Sequence, residues 1–121
     1  MILSKNDEFL VVTNDTVVSI VRIKDHEVIA SREFISVKNT SLSKENKFIQ
    51  VYDRIDNNKY VAGIFEFPSF KMIREFNEKR YIKANAPYVK FNEDETKAFY
   101  YNYSTGFIEI YAAEDLQTVI Q

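Results

Sequence analysis

The chain has 121 residues and a formal net charge of −2, with 45% hydrophobic and 28% charged residues. This length supports one domain with a modest core, and the composition excludes both a disordered chain and a membrane protein. Because cysteine is absent, disulfides, thiol nucleophiles and most structural zinc sites are excluded as well. The first residues lack the basic leader and apolar stretch of a signal peptide, so we expect a soluble, cytoplasmic protein.

The charges are unevenly distributed along the sequence. Residues 71–90 contain six basic residues against two acidic ones, a local balance of +4. Residues 91–121 contain one basic residue against six acidic ones, a local balance of −5. The small net charge therefore conceals a basic segment followed by an acidic one.

Strands dominate the first third of the sequence. Residues 9–13 and 16–23 are rich in β-branched and aromatic residues and are separated by a turn-forming Asn-Asp pair. A polar group over residues 24–27 predicts the next turn, and a third strand extends to about residue 34. A short strand after residues 35–37 then leads into the next repeat.

The same strand-turn-strand order returns in the second repeat. Residues 48–53 and 60–67 are predicted strands, separated by a polar break. Pro68 ends the latter strand because proline has no donor for the ladder. Residues 70–76 are the predicted outer strand.

The third repeat contains strands predicted over residues 88–91, 97–101 and 107–111. Gly106 lies in the hairpin before the last of these, where a residue free to adopt positive φ is needed. Residues 116–120 are predicted to form the outer strand of this repeat.

One stretch recurs three times and organises the chain. Residues 42–51 contain a large apolar residue, a polar turn and an apolar run, and residues 3–12 and, more loosely, 91–100 repeat that pattern; we call these stretches the anchors. They begin 39 and 49 residues apart, close to the ~40–50-residue period of a propeller blade. The sequence therefore predicts an all-β, WD40-like β-propeller fragment of about three four-stranded antiparallel blades. Its single partial domain covers residues 1–121, with repeats at approximately 1–36, 37–86 and 87–121.

Such a fragment is too short to close a ring, because closed propellers need at least about four blades. Each blade has large apolar faces that its neighbours must cover, and exposed outer strands are templates for aggregation. The chain therefore needs further blades or a partner to cover its edges. It is a piece of a longer protein, or it completes itself by association, or it stacks as an open array with a partner.

Few residues have the chemistry of an enzyme. The one histidine, His26, lies between Asp25 and Glu27, where adjacent turn residues do not converge on one point. Two glycines cannot build a phosphate-binding loop, and the three adjacent acids at residues 93–95 lack the alternating spacing of a calcium loop. We expect the turn around His26 and residues 93–95 to be solvated. The sequence therefore predicts no catalytic residue, metal, cofactor or small-molecule substrate, and hence no enzyme.

The third anchor resembles a known family. Its first six residues are similar to a Trp-Ser-Glu-Asp-Glu-Thr stretch in the propeller of eukaryotic translation initiation factor 2A; they are Phe91, Asn92, Glu93, Asp94, Glu95 and Thr96. Residues 2–7 similarly resemble that family's Phe-Ser-Lys-Asp-Gly turn, and residues 38–48 align with its next serine-bearing turn. The family's turn glycine is replaced by Glu8 and Asn46, and no tryptophan is present.

Other propellers share parts of this pattern. The b subunit of eukaryotic initiation factor 3 has similar blades, and residues 67–70 resemble its strand-ending Pro-Ser. Generic WD-repeat propellers have a related turn. The first resemblance implies a platform in translation initiation that binds the small ribosomal subunit, both its RNA and its proteins, with initiator tRNA as a further partner. The alternative is a scaffold of WD40-like blades that binds only proteins.

A basic stretch is the best candidate for an RNA contact. Its cations alternate with an aromatic residue, a combination that neutralises phosphates and stacks on bases; the candidate residues are Lys79, Arg80, Tyr81 and Lys83. The alternative interpretation is a solvated loop that Tyr81 or Ile82 fixes to the core.

Overall fold

The computed structural model describes residues 1–57, 59–78, 89–102 and 105–120. These residues form three antiparallel sheets of four, four and three strands, in sequence order. Regular structure in this part of the chain is otherwise limited to a 3-10 turn over Lys5–Asp7. The predicted all-β, propeller-type fold is therefore confirmed, and the three sheets are called blades 1, 2 and 3.

Each blade is a meander in which neighbours in sequence are neighbours in the sheet. Blade 1 consists of β1 (Ile2–Leu3), β2 (Phe9–Thr13), β3 (Val17–Arg22) and β4 (Glu27–Glu33). Blade 2 consists of β5 (Val37–Leu42), β6 (Phe48–Asp56), β7 (Lys59–Glu66) and β8 (Met72–Glu78). Blade 3 consists of β9 (Val89–Phe91), β10 (Lys97–Asn102) and β11 (Phe107–Ala112).

The core lies between the blades, in two separate layers. Blade 1 packs on blade 2 through residues that include Val11, Ile20, Ile49, Val51 and Phe65. Blade 2 packs on blade 3 through residues that include Tyr52, Ile64, Phe76, Ala98 and Tyr100. Blade 2 is covered on both faces, so residues 48–53 of β6 are all buried. Strand β2 has only one covered face and is less buried.

Alternation of side chains across each sheet produces the two layers. In β6, Ile49 and Val51 belong to the layer against blade 1, whereas Phe48 and Tyr52 belong to the layer against blade 3. Successive residues of a strand point to opposite faces, so one strand contributes to both layers. The high content of β-branched and aromatic residues suits such a doubly buried strand.

Two predicted outer strands are wrong at their start. The second repeat's outer strand begins at Met72 rather than at residue 70, because Phe70 has φ 63° and lies in the preceding turn. Among the residues described after β11, only Val119 pairs, in an isolated bridge to Tyr111. Leu116, predicted to start a strand, has φ 53°. Both left-handed residues are buried between blades, so packing decides their conformation.

Two further features position the blades. The buried carboxylate of Asp53 accepts hydrogen bonds from the backbone N–H groups of Ile35 (3.0 Å) and Ser36 (2.7 Å), which fixes the link between blades 1 and 2. Gly106 has φ 77°, as the hairpin prediction requires. None of the described residues belongs to a helix with the length and apolar character needed to cross a membrane.

Candidate interaction surface

The three anchors fold into three equivalent turns, residues 4–8, 43–47 and 92–96, which we call the anchor turns. The first residue of each turn supplies a side-chain oxygen that accepts a hydrogen bond from the backbone N–H five residues later. The distances are 2.8 Å from Phe9 to Ser4, 3.0 Å from Phe48 to Ser43 and 2.8 Å from Lys97 to Asn92. Serine and asparagine suit this position because their short side chains bond to nearby backbone.

The fourth residue of each anchor turn is left-handed. Its φ is 55° at Asp7, 58° at Asn46 and 58° at Glu95. Asparagine and aspartate tolerate this conformation, whereas glutamate adopts it less readily. Tertiary contacts must therefore hold Glu95, and they are found in the neighbouring blade.

Asn46, the fourth residue of the blade 2 anchor turn, reaches back to blade 1. The side-chain carbonyl of Asn46 accepts a hydrogen bond from the Lys5 backbone N–H, and the Lys5 ammonium pairs with the Glu45 carboxylate. The ion pair is solvent-exposed and worth little by itself. The amide contact is directional and fixes the register of the two turns.

Glu95 makes the corresponding contact between blades 3 and 2. One carboxylate oxygen accepts a hydrogen bond from the Ser43 hydroxyl at 2.9 Å, and the other accepts one from the Glu45 backbone N–H at 2.9 Å. Only 4% of Glu95 is exposed. The prediction of a solvated turn is therefore wrong for Glu95, although Glu93 and Asp94 are exposed. In the sequence Glu95 aligns with Asp7 and Asn46, but that alignment does not show which way its side chain points.

A buried amide joins blades 2 and 3 beneath the turns. The Gln50 side chain donates to the Val89 carbonyl at 3.2 Å and accepts from the Val89 N–H at 2.9 Å. The Gln50 side chain thereby satisfies the backbone N–H and carbonyl of Val89, the first residue of β9. No buried side-chain nitrogen or oxygen in the described part of the chain is left without a partner.

Arginines of the fourth strands clamp each blade to the next. Arg32 of β4 donates to the Phe70 carbonyl at 2.9 Å, and Arg74 of β8 donates to the Leu116 carbonyl at 2.5 Å. Phe70 and Leu116 are both left-handed. Each lies in the turn just before the last, outermost segment of the blade that follows the arginine's own blade. The Arg74 guanidinium also lies 4.4 Å from the ring centre of Phe76 and 4.8 Å from that of Tyr111, a stabilising cation–π geometry.

A cleft of about 260 Å³ opens between blades 2 and 3, beside the anchor turns. Its wall includes the stacked rings of Phe48 and Phe91, whose centres are 4.5 Å apart. Lys44 and Glu93 contribute charged groups to its lining. The cleft combines an apolar wall with charges of both signs, which suits a peptide segment better than a polyanion. Among the described residues, no group of three His, Asp or Glu could hold a metal ion.

The face of blade 1 that points away from blade 2 is apolar and exposed. Four residues on neighbouring strands form one row across it, Leu3, Leu10, Val21 and Val28, with Val12 beside them. Leu3 and Val28 are 54% and 56% exposed. The same row in blade 2, Leu42, Ile49, Phe65 and Met72, packs against blade 1. We call the exposed row and Val12 the leading face.

The opposite face of blade 3 is also open. Ala98 and Tyr100 pack against blade 2, so the alternate residues of β10 and their cross-strand neighbours point away from it. They are Lys90, Lys97, Phe99, Tyr101, Ile108 and Ile110, and we call them the trailing face. Ile108 is 66% exposed.

The residues predicted to contact RNA, Lys79, Arg80, Tyr81 and Lys83, lie outside the described residues. Nothing in the described part of the chain therefore bears on that site. His26 lies where the sequence predicted, in an exposed turn with φ 61°.

Two solved structures are similar to this chain. The chain is similar to the β-propeller domain of Cps50 (Swd1) from Myceliophteria thermophila, with a TM-score of 0.55 and 12% identity over 99% of this chain and 38% of that one. It is also similar to an uncharacterized protein of Listeria monocytogenes EGD-e, with a TM-score of 0.45 and 11% identity over 93% of this chain and 48% of that one. The chain thus spans less than half the length of either protein.

No protein-family model matches the sequence, and neither does any curated protein. The first structural likeness and the three sheets together define the class of protein. The chain has the fold of a partial β-propeller of three blades.

Proposed function

We propose that this chain is a non-enzymatic binding platform that holds a protein segment at the anchor-turn side of its blades. The observation that carries the proposal is the cleft between blades 2 and 3. Its stacked aromatic wall can bury an apolar side chain of a peptide, while Lys44 and Glu93 offer charges to the peptide's polar groups. Hydrogen bonds through Glu95 and Gln50 support the cleft from both neighbouring blades, so its shape is preorganised.

A more specific role follows from the resemblance of residues 91–96 to the propeller of initiation factor 2A. In this role the platform acts in translation initiation and associates with the small ribosomal subunit, through its RNA and proteins, with initiator tRNA as a further partner. Two observations favour this role over a protein-only scaffold. One is the resemblance itself, and the other is the basic-aromatic composition of Lys79, Arg80, Tyr81 and Lys83.

Sedimentation of the native chain from its own cell lysate tests the ribosomal role. On gradients of increasing salt, we expect the chain to travel with small subunits and to be released as salt rises, because phosphate contacts are salt-dependent. A triple change, Lys79→Glu, Arg80→Glu and Lys83→Glu, should abolish co-sedimentation. The matched control reverses three exposed lysines elsewhere, Lys24, Lys38 and Lys71. Equal binding by both triple variants would contradict the RNA contact.

The cleft is tested separately with Lys44→Glu and Glu93→Lys in one variant. A protein-only scaffold predicts a complex that survives ribonuclease and is weakened by these two changes but not by those at residues 79–83. A ribosomal platform predicts a complex that ribonuclease disrupts. A chain that remains free of any partner in both experiments would contradict the platform itself.

A further inference from the structure

The geometry of the two open faces points to an occupant. We propose that two copies of this chain associate head to tail, each placing the trailing face of its blade 3 on the leading face of the other's blade 1. The three blades of each copy then form one six-blade ring. This proposal is independent of what the platform binds.

The first step in the argument is the repetition of positions. Within the chain, the row at Leu42, Ile49, Phe65 and Met72 of blade 2 is covered by blade 1. In blade 3, Phe91, Ala98 and Tyr111 form the equivalent row and are covered by blade 2. The row at Leu3, Leu10, Val21 and Val28 is the third of the series and is open. Its natural cover is therefore the opposite face of another blade.

The second step concerns Asp7. Of the three left-handed residues of the anchor turns, Asn46 and Glu95 accept hydrogen bonds from the turn of the preceding blade. Asp7 occupies the same position, is exposed, and its carboxylate has no partner in the part of the chain that the structure describes. A blade on the leading face would supply the missing donors. In a second copy these are the backbone N–H groups of Glu93 and Asp94, which correspond to the donors Lys5 and Glu45 within the chain.

The third step identifies the second copy by charge. Lys97 occupies in blade 3 the position that Phe48 occupies in blade 2, because the two anchors are 49 residues apart. Phe48 lines the same cleft as Glu95, and Glu95 corresponds to Asp7. In a head-to-tail contact, Lys97 of one copy and Asp7 of the other therefore line one cleft and form an ion pair. Lys97 is exposed and its ammonium is unpaired among the described residues.

The trailing face complements the leading face in shape as well. Phe99 and Tyr101 supply large aromatic side chains, whereas the leading face consists of smaller leucine and valine residues. The same combination of large and small residues fills the interior layers, where Phe65 packs with Val11 and Ile20. Two identical contacts of this kind related by one rotation close a ring, and about six blades lie within the usual range for propellers.

The first experiment is sedimentation equilibrium of the purified full chain. We expect a mass of twice 14.3 kDa at concentrations of about 10–100 µM, the range of a moderate interface. A single mass of 14.3 kDa throughout this range would overturn the proposal. A series of larger assemblies would overturn the closed ring in favour of an open array.

The second experiment assigns the faces. Asp7→Lys and Lys97→Glu should each weaken dimerisation, on the order of tenfold or more, because each places two like charges together in both contacts. Mixing the two variants should restore a dimer, since the mixed pair contains one original contact and one contact with the charges exchanged. Restoration also shows that neither variant is misfolded.

The matched controls are Asp15→Lys and Lys71→Glu, which make the same charge changes at exposed turns away from both faces. They should dimerise like the original chain. Controls that weaken dimerisation as much as the face variants, or a mixture that fails to re-form the dimer while both variants keep their β-sheet circular dichroism, would overturn the assignment of Asp7 and Lys97.

Discussion

The carboxylate of Glu95 in blade 3 accepts a hydrogen bond from the hydroxyl of Ser43 in blade 2 at 2.9 Å. The same carboxylate accepts the Glu45 N–H, so one buried acid satisfies two donors of the preceding turn. An equivalent contact joins Asn46 to Lys5. The blades are thus connected by apolar packing and also by a repeated polar contact between their anchor turns.

Replacing Glu95 with glutamine should destabilise the chain by about 1–3 kcal/mol, because an amide nitrogen cannot accept from either donor and leaves one buried group unpaired. Urea unfolding monitored by circular dichroism measures the change. Glu93→Gln is the matched control, since Glu93 is exposed in the same turn, and it should have almost no effect. Equal midpoints for Glu95→Gln and the original chain would show that the buried contact contributes nothing.

Replacing Gln50 with methionine should destabilise the chain by about 1–3 kcal/mol per group left unpaired. The side chain keeps its approximate length, but the buried N–H and carbonyl of Val89 lose their partner. Thermal unfolding and hydrogen exchange at Val89 report the loss. Gln117→Met, at an exposed position, is the control. Unchanged protection of the Val89 N–H would contradict the interpretation.

Gly63→Ala should destabilise the chain by about 1–3 kcal/mol through overpacking. A Cβ at this position would lie 2.8 Å from Cε2 and 2.9 Å from Cζ of Phe65, a fully buried ring. The test is a double-mutant cycle with Phe65→Leu, which removes the obstructing atoms. We expect Gly63→Ala to cost less in that background, and an equal cost in both backgrounds would locate the strain elsewhere.

Arg74→Lys should destabilise the chain by roughly 1–2 kcal/mol, although the charge is kept. Lysine lacks the planar group that stacks on Phe76 and Tyr111 while bonding to the Leu116 carbonyl. Equilibrium denaturation gives the magnitude. The comparison is Arg54→Lys, because the Arg54 guanidinium donates a hydrogen bond to the exposed turn residue Asn57; this change should be close to neutral.

Stability should fall in acid. Hydrogen bonds from the Thr96 side chain and backbone lower the pKa of Asp94, and backbone bonds from Gln117 and Thr118 lower the pKa of Asp115. A pKa lowered by folding stabilises the native state above the unfolded value of about 3.9, and this contribution is lost as pH falls through the folded pKa. We expect unfolding midpoints to be constant from about pH 7 to 5 and to decline below about pH 4.

The double variant Asp94→Asn, Asp115→Asn tests the source of this decline. Its midpoint should be lower at neutral pH and should change less in acid than that of the original chain. Asp15→Asn, at an exposed turn, provides the comparison. An acid decline as steep in the double variant as in the original would assign the effect to other carboxylates.

The strand pattern was legible in the sequence because its causes are local. Runs such as residues 9–13 and 107–111 combine β-branched or aromatic residues with flanking turn formers, and both are strands. Gly106 could be assigned positive φ because hairpins of this kind need it. The recurrence of the anchors likewise predicted that the sheets would be equivalent.

Side chains with a tertiary partner could not be assigned in the same way. Phe70 and Leu116 appeared to be strand residues, yet both are left-handed because their side chains fill the layer against the preceding blade. Glu95 appeared solvated because it follows two exposed acids. Its inward position depends on donors that lie 50 and 52 residues earlier in the chain.

The sequence by itself determined the class of fold, the number of repeats and the turns, since hydrophobic alternation and turn chemistry act between residues close in the chain. Only the tertiary structure decided which face of each blade is covered, which acid is buried, and where the two uncovered faces lie. Those features depend on packing between segments about 40–50 residues apart. No local pattern specifies such packing, because exposed and buried strand faces contain the same apolar residue types.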